Sequence, residues 1–225
     1  LLRDWDLRQT EDSAGAAYFN AVWRHLLRHT FADELPRPER ADGGSRWMLV
    51  VTRLLDEPGS GWWDDVRTDQ VEDRDAVVVA SMRSAYDELR DRLGDAPADW
   101  RWGELHALPL ESPSFGQSGI APVEWLVNRG PVDVSGGEAT VDATGWTARH
   151  GYETDWVPSM RMVVDLADPD ASRWVNLTGA SGHAFHRNYT DQTELWQHGR
   201  TTAWRFSRSA VRASSRDTLV LQPVG

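Results

Sequence analysis

The sequence contains no cysteine and no lysine. Without cysteine the protein has no disulfide bond, no thiolate nucleophile and no cysteine-ligated metal site, although this absence does not identify its compartment. All 24 basic side chains other than histidine are arginine, which we attribute to genomic base composition and from which we draw no function. Long apolar runs are also absent. Because no stretch approaches the roughly 20 apolar residues that cross a bilayer, no membrane span is predicted.

Acidic side chains outnumber basic ones, 35 to 24. The formal net charge is -11 and the pI is about 5, which works against binding of a phosphate backbone, so a nucleic-acid partner is excluded. Aromatic residues are plentiful and include 13 tryptophans in a chain of 225 residues that is 40% hydrophobic. Such a chain predicts a soluble globular protein of one domain or two small ones. Its tryptophans either anchor the core or line an apolar cleft.

Residues 1–98 are predicted to be mainly helical. Three segments carry apolar residues at three- and four-residue steps, as on the buried face of a helix: residues 13–31, 47–55 and 70–93. Asp12 or Ser13 is expected to cap the first helix, and Gly94 is expected to end the third.

Residues 99–225 are predicted to be an α+β part. Their composition shifts toward glycine, proline and short β-prone runs, and residues 191–198 predict a short helix. The predicted strands are residues 138–141, 160–166, 174–177, 202–206 and 218–221. The strand over residues 160–166 shows little polar alternation, which predicts that it is covered on both faces.

Several motifs follow one another in residues 159–199. An apolar run ends in an acid at Asp165, and a glycine-serine turn and a Tyr-Thr-Asp-Gln helix start come after it. The residues that carry the turn and the helix start are Gly179, Ser181, Gly182, Tyr189, Asp191 and Gln192. This order resembles the C-terminal signature of β-subunits of the penicillin amidase family. The Trp-Gly-x-x-His pattern that ends at His106 agrees with the same family, so the resemblance covers essentially the whole chain. One departure is Asn188, where family members commonly carry histidine.

The resemblance implies a fold and a reaction. Family members are N-terminal-nucleophile hydrolases with a four-layer αββα core, to which this chain would contribute a helical first part followed by strands and short helices. A serine at the start of the β-subunit attacks an acyl amide, and water then releases the acid. The first residue here is Leu1, whose side chain has no nucleophilic atom. We therefore expect a C-terminal segment that is inactive alone and that arose by processing or truncation.

The resemblance also implies partners. These are the α-subunit and the N-terminal part of the β-subunit, together with a small acyl-amide substrate in the intact enzyme; no cofactor and no metal are expected. Acyl groups in the family range from aryl-acetyl groups on β-lactams to fatty acyl groups on homoserine lactones, and the sequence does not choose between them. Family members are bacterial and often exported, but the sequence does not assign a compartment to this chain.

Two residues are candidates for a role at the catalytic site. In cephalosporin-acylase-like members, an acid at the position of Asp165 orients a histidine near the nucleophile, and a carboxylate there would fix the imidazole tautomer. An aspartate at a strand end is also a common turn or capping residue. His106 is a candidate substrate-binding residue that lines the acyl cleft, with donation to a backbone carbonyl as the alternative.

Other features receive weaker interpretations. Ser181 lacks the Gly-x-Ser-x-Gly spacing of a nucleophile elbow, so we interpret its segment as a turn. His183 and His186, with Asp191 nearby, are too poor a match for a metal site. The alternative to an enzyme segment is a free-standing, non-catalytic module whose tryptophan-rich surface binds a ligand or a protein.

Overall fold

The computed structural model describes residues 1–223, which form an α+β fold of helices and small antiparallel sheets. The α-helices are α1 (Ala14–Phe31), α2 (Ser45–Leu55), α3 (Arg74–Leu93), α4 (Trp102–Leu105), α5 (Ala121–Val127), α6 (Thr193–Gln197) and α7 (Arg208–Ser214). The strands are β1 (Ala107–Leu110), β2 (Arg129–Asp133), β3 (Met160–Val163), β4 (Arg173–Asn176) and β5 (Thr202–Ala203).

The chain packs as two compact units, which we describe one at a time. The first is Leu1–Val157 and the second begins at Pro158. This boundary does not coincide with the change of composition near residue 99. The reason is that aromatic side chains beyond that point, among them Trp100, Trp102 and Tyr152, are buried in the same apolar cluster as α1 and α3.

Local signals set the ends of α1 and α3. The Ser13 hydroxyl accepts a hydrogen bond from the Ala16 N–H at 3.1 Å, so Ser13 rather than Asp12 caps α1. Asp73 caps α3 in the same way. Gly94 follows α3 with a φ of 102°, a conformation in which other residues are strained. The three predicted helices are confirmed, with ends shifted by a few residues.

The core of the first unit lies between α1, α3 and aromatic side chains from the later loops. Because α1 places Trp23, Leu27 and Phe31 at four-residue intervals, they share one face of the helix. All three are buried in one cluster with Ala85 and Leu89 of α3. Each large apolar side chain buried in this way contributes about 1.5–3 kcal/mol relative to exposure, so this face determines how the two helices pack.

Tryptophan N–H groups tie this core to the surrounding loops. Each donates to a backbone carbonyl: Trp23 to Gly43 at 3.1 Å, Trp63 to Glu57 at 2.9 Å, Trp100 to Gly94 at 2.8 Å and Trp102 to Gly136 at 3.0 Å. A buried indole N–H needs such a partner. Six of the 13 tryptophans are buried, which confirms the anchoring role for those six. The exposed ones are Trp62, Trp125, Trp156 and Trp204.

Strands β1 and β2 form an antiparallel pair that the sequence did not predict. Leu108 lies opposite Val132, and the register shifts between Leu108 and Leu110. Each strand contains a proline, Pro109 or Pro131, which cannot donate to a ladder and therefore weakens the strand signal.

The predicted strand over residues 138–141 is wrong. These residues form a turn in which the Thr140 hydroxyl accepts the Gly137 N–H at 2.9 Å and donates to the Asp142 carbonyl at 2.7 Å. Side-chain hydrogen bonds of this kind offer the backbone an alternative to a β-ladder, and the β-branched residues that suggested a strand belong to this turn.

In the second unit, β3, β4 and β5 form an antiparallel sheet in that order, and β3 is an edge strand. Within this chain β3 is not covered on both faces, contrary to the prediction: Met162 is 53% exposed and Val163 is 66% exposed. Arg161 stacks on Trp196 of α6, with its guanidinium carbon 4.1 Å from the ring centroid. Because side chains alternate along a strand, Met160 and Met162 point away from that contact.

The remaining predictions in the second unit are partly confirmed. The predicted strand over residues 174–177 corresponds to β4 and the predicted helix over residues 191–198 to α6. The strand predicted over residues 202–206 is limited to β5, and residues 218–221 are exposed and have no regular structure. None of the helices in residues 1–223 combines the length and the apolar character needed to span a membrane.

Candidate functional site

His106 lies in the first unit, directly after α4, and is fully buried. Its ring stacks on Trp102 with centroids 4.5 Å apart and planes 12° from parallel. Nδ1 lies 2.8 Å from the Tyr152 carbonyl oxygen, and since a carbonyl only accepts, Nδ1 carries the proton. Nε2 accepts from the Thr154 hydroxyl at 3.2 Å; the Thr144 hydroxyl also lies 3.0 Å from Nε2 but donates its proton to the Ser135 carbonyl at 2.8 Å.

The environment of His106 keeps its imidazole neutral. Burial lowers the pKa of His106 to about 4, and the hydrogen bond to the Tyr152 carbonyl opposes this effect only in part. Both ring nitrogens are occupied by groups of the chain. The contact to a backbone carbonyl, one of the two roles predicted for this residue, is therefore present, and it fixes the segment that runs from Thr144 to Thr154.

Asp165 lies in the second unit, just beyond β3, and is exposed. Its Oδ1 accepts the N–H groups of Ala167 at 2.9 Å and Asp168 at 3.0 Å, and its own N–H donates to the Ser172 hydroxyl. The hydrogen bonds from Asp168 and Ala167 lower the pKa of the Asp165 carboxyl, so the group is a carboxylate at neutral pH. These are the contacts of a turn residue.

The structure brings the signature residues of the second unit together around the end of β4. The Gln192 side chain accepts the Asn176 N–H at 2.8 Å, and the Gln192 N–H donates to the Thr178 carbonyl at 3.0 Å. The Ser181 N–H donates to the Asn188 carbonyl at 3.0 Å. Residues 188–192 thus close the glycine-serine turn through main-chain contacts and the Gln192 side chain. This arrangement satisfies main-chain groups that would otherwise be left without partners at the strand end.

Glycine is needed at position 179 because the glycine-serine turn there lies very close to the chain at Asn188 and Asp191. A Cβ at this position would overlap the Asn188 carbonyl oxygen and press on Asp191. Replacing Gly179 with alanine is therefore expected to lower the free energy of unfolding by about 1–3 kcal/mol, the usual cost of overpacking. Urea unfolding followed by circular dichroism measures it.

Gly182 provides the matched control for that substitution. A Cβ at Gly182 meets no atom within 4 Å, so alanine there is expected to change stability by less than about 0.5 kcal/mol. Equal losses for the two variants would contradict the role assigned to the close approach at Gly179.

The serine and histidines of this turn are engaged locally. The Ser181 hydroxyl accepts the His183 N–H at 3.1 Å. Nδ1 of His183 accepts the Phe185 N–H at 3.2 Å, and Nδ1 of His186 accepts the Asn188 N–H at 3.1 Å. No group of three or more histidine, aspartate or glutamate side chains with metal-ligand geometry occurs within residues 1–223.

A charged cluster centred on Glu88 was not found from the sequence. The Glu88 carboxylate accepts from His25 Nε2 at 2.7 Å and from the Tyr152 hydroxyl at 2.9 Å, and it lies 3.5 Å from Arg24 and 3.1 Å from Arg92. The two guanidinium groups also stand over the Tyr152 ring, 5.2 and 5.3 Å from its centroid. Such cation–π contacts add to the attraction of the carboxylate.

The cluster keeps Glu88 ionised. Burial alone would raise the pKa of Glu88, but the hydrogen bonds from His25 and Tyr152 and the charge of Arg24 outweigh it and lower the pKa to about 2. Burial and the neighbouring carboxylate raise the pKa of Tyr152 above its usual value. Neither group is therefore poised to exchange a proton near neutral pH, and the cluster binds α1, α3 and the Tyr152 loop together.

Comparison with known proteins identifies a family for this chain. A family model described as penicillin amidase matches residues 1–213. The chain is similar to the acyl-homoserine lactone acylase QuiP of Pseudomonas aeruginosa (29% identical, covering 99% of this chain and 28% of that protein). It is also similar to QuiP of Pseudomonas fluorescens (28% identical, 88% and 24%) and to a penicillin acylase 2 proenzyme of a Pseudomonas strain (28% identical, 97% and 28%).

The extent of these matches differs between the chain and its relatives. The chain spans 28% or less of the length of the relatives named above, all of which are acylases by name. The family model, in contrast, covers nearly the whole chain. The chain therefore belongs to the penicillin amidase family of amide-hydrolysing acylases.

Proposed function

We propose that this chain is the non-nucleophile, C-terminal segment of an acylase that hydrolyses an acyl amide to a carboxylic acid and an amine. The attacking group in this proposal is an N-terminal serine located outside the chain. The observation that carries the proposal is the match of the penicillin amidase model to residues 1–213, in a chain that spans 28% of the length of an acyl-homoserine lactone acylase.

The contacts of the candidate groups support a segment without its own nucleophile. His106 is buried with both ring nitrogens engaged, and Ser181 sits in a turn that its own hydroxyl helps to hold. The role of Asp165 as a carboxylate that orients a histidine belongs to the same proposal: Oδ1 serves the turn, so Oδ2 is the oxygen that would face an imidazole.

The exposed strand β3 supports an incomplete sheet. Met162 and Val163 are more than half exposed in an edge strand, and edge strands with apolar side chains are normally covered or paired. We propose that β3, β4 and β5 join the sheets of an N-terminal-nucleophile hydrolase of αββα type. The partners would then be the α-subunit and the N-terminal part of the β-subunit.

Hydrolysis assays on the purified chain and on the precursor that contains it test this proposal. We expect the precursor to hydrolyse a phenylacetyl or a long-chain acyl chromogenic amide and the isolated chain to hydrolyse neither. The two acyl groups represent the classes named for the relatives, a penicillin acylase and acyl-homoserine lactone acylases, so the preferred amide also reports the substrate class.

Ser181→Ala in the precursor is the matched control, and we expect it to retain activity because the Ser181 hydroxyl accepts the His183 N–H within its own turn. Activity in the isolated chain, or its loss in this variant, would contradict the proposal. An inactive precursor would instead favour the alternative of a non-catalytic module. Its binding surface would then involve exposed tryptophans of one unit, either Trp62, Trp125 and Trp156 in the first or Trp204 in the second.

A further inference from the structure

A cavity of about 600 Å³ lies in the first unit between α1, α3 and the loops around Arg40 and Ala148. It forms because α3 lines it with Ala76, Ala80 and Ser84, which repeat at four-residue intervals and so share one face of the helix. Their small side chains leave space where larger ones would fill it. The volume is in the range of small-molecule sites in proteins.

The lining of this cavity is rich in positive charge, in contrast to the net charge of -11 of the chain. Helix α1 contributes two arginines and two histidines at four-residue spacing, and the neighbouring loops add three more arginines. The arginines are Arg24, Arg28, Arg40, Arg67 and Arg149, and the lining carboxylates are Asp65 and Glu72. Five guanidinium groups thus face two carboxylates.

Three of these arginines already have a carboxylate partner. Arg67 forms a bidentate pair with Asp65, at 2.7 and 2.6 Å. Arg24 lies 3.5 Å from Glu88, and Arg149 lies 3.7 Å from Asp42.

Arg28 and Arg40 differ from the other three. Both are exposed, and within residues 1–223 neither guanidinium forms an ion pair. His29, one position beyond Arg28 on α1, also lines the cavity. Two uncompensated guanidinium groups therefore stand at its solvent side.

The inner wall of the cavity is apolar. Its solvent-accessible part is formed by Ala32, Ala76 and Ala80, and behind it Leu27, Phe31, Trp63 and Val77 are buried. A ligand that fits this lining has a negative head toward the guanidinium groups and an apolar body toward this wall. An inorganic anion would satisfy only the first requirement.

We propose that this cavity binds a small organic carboxylate, with its head group on Arg28 and Arg40 and its apolar body against Ala32, Ala76 and Ala80. A guanidinium presents a planar pair of donors that matches a carboxylate and forms two parallel hydrogen bonds. The site is built from the first unit alone and is independent of the acylase function proposed above.

Calorimetric titration of the chain with 2-naphthoate tests this site, with the neutral isostere 2-naphthamide and inorganic phosphate as comparison ligands. We expect 2-naphthoate to bind and the other two to bind at least roughly tenfold more weakly, because each lacks one of the two recognised features. The double variant Arg28→Gln, Arg40→Gln is expected to weaken 2-naphthoate binding by roughly tenfold or more.

The control is the double variant Arg37→Gln, Arg83→Gln. Both residues are exposed arginines outside the cavity lining, so the change of net charge is the same and 2-naphthoate binding is expected to persist. Equal weakening by the two double variants would reduce the effect to overall charge and overturn the site. Undetectable 2-naphthoate binding, or equal binding of phosphate, would also overturn it. The variants remove no ion pair of the described chain, so circular dichroism is expected to match the parent.

Discussion

Replacing Trp102 with alanine is expected to lower the free energy of unfolding by about 3–5 kcal/mol, the usual cost of truncating a large buried aromatic side chain. Trp102 is fully buried, stacks on His106 and donates its N–H to the Gly136 carbonyl. The substitution leaves a cavity, removes the ring that supports His106, and deprives a loop carbonyl of its partner. Urea unfolding monitored by circular dichroism gives the value.

Trp125→Ala is the matched control, because Trp125 is 82% exposed. A change within about 0.5 kcal/mol is expected there. Trp102→Phe separates the two contributions of Trp102, since phenylalanine keeps part of the stacking but cannot donate to Gly136, and a loss of about 1–3 kcal/mol is expected from the unpaired carbonyl. A loss at Trp102 as small as that at Trp125 would refute the central position given to this ring.

Replacing Glu88 with glutamine is expected to cost about 3 kcal/mol at pH 7, because folding lowers the pKa of Glu88 from 4.5 to about 2 and a tenfold change in proton affinity corresponds to about 1.4 kcal/mol. Since the pKa is depressed in the folded protein, this stabilisation is complete above pH 4.5 and is lost as the pH falls toward 2. Unfolding free energies of parent and variant, measured at about pH 7 and about pH 3, are expected to differ less at the lower pH.

Asp87→Asn tests whether position on α3, rather than the cluster, explains such a loss. Asp87 precedes Glu88 but is 60% exposed at its side chain and forms an ion pair with the surface residue Arg90, at 3.1 Å. Exposed pairs of this kind contribute about 0–1 kcal/mol. A pH-independent difference between Glu88→Gln and the parent would argue against an ionised Glu88 as the source of stability.

The helical part was predictable because its signals are local. The Ser13 cap, the Gly94 stop and the four-residue apolar spacing on α1 all act within a few residues of the elements that they define. The Glu88 cluster shows the opposite case. Its partners His25 and Tyr152 lie 63 and 64 residues away in the chain, and no spacing rule relates a loop tyrosine to two helices.

The strands were harder to predict for two physical reasons. In β1 and β2 a proline interrupts each short run, while the turn around Thr140 has the composition of a strand but satisfies its backbone through a side chain. In β3 the strand was predicted but its burial was not. An unbroken apolar run shows that a strand can be buried on both faces, but not that it is. Met162 lies in the edge strand of this sheet, and its side chain is exposed.

The candidate site was predicted unevenly as well. The signature around Gly179 and Gln192 was found as a motif, and the structure gives each of these residues a backbone contact within it. His106 was found through its spacing from Trp102, but its burial depends on Tyr152 and Thr144, which come from a distant loop. The arginine-lined cavity was missed because the spacing of residues along a helix does not distinguish a face exposed to bulk solvent from a face that lines a cavity.

The indole contacts of the first unit also determine where the chain can change length. The loops at Gly43, Glu57, Gly94 and Gly136 each have a carbonyl held by a buried tryptophan, so an inserted residue there would shift a core side chain. Residues 117–120 are exposed, and Gly119 has open space around it. Insertions that a family accumulates should therefore be tolerated at residues 117–120 and rejected at the four anchored loops.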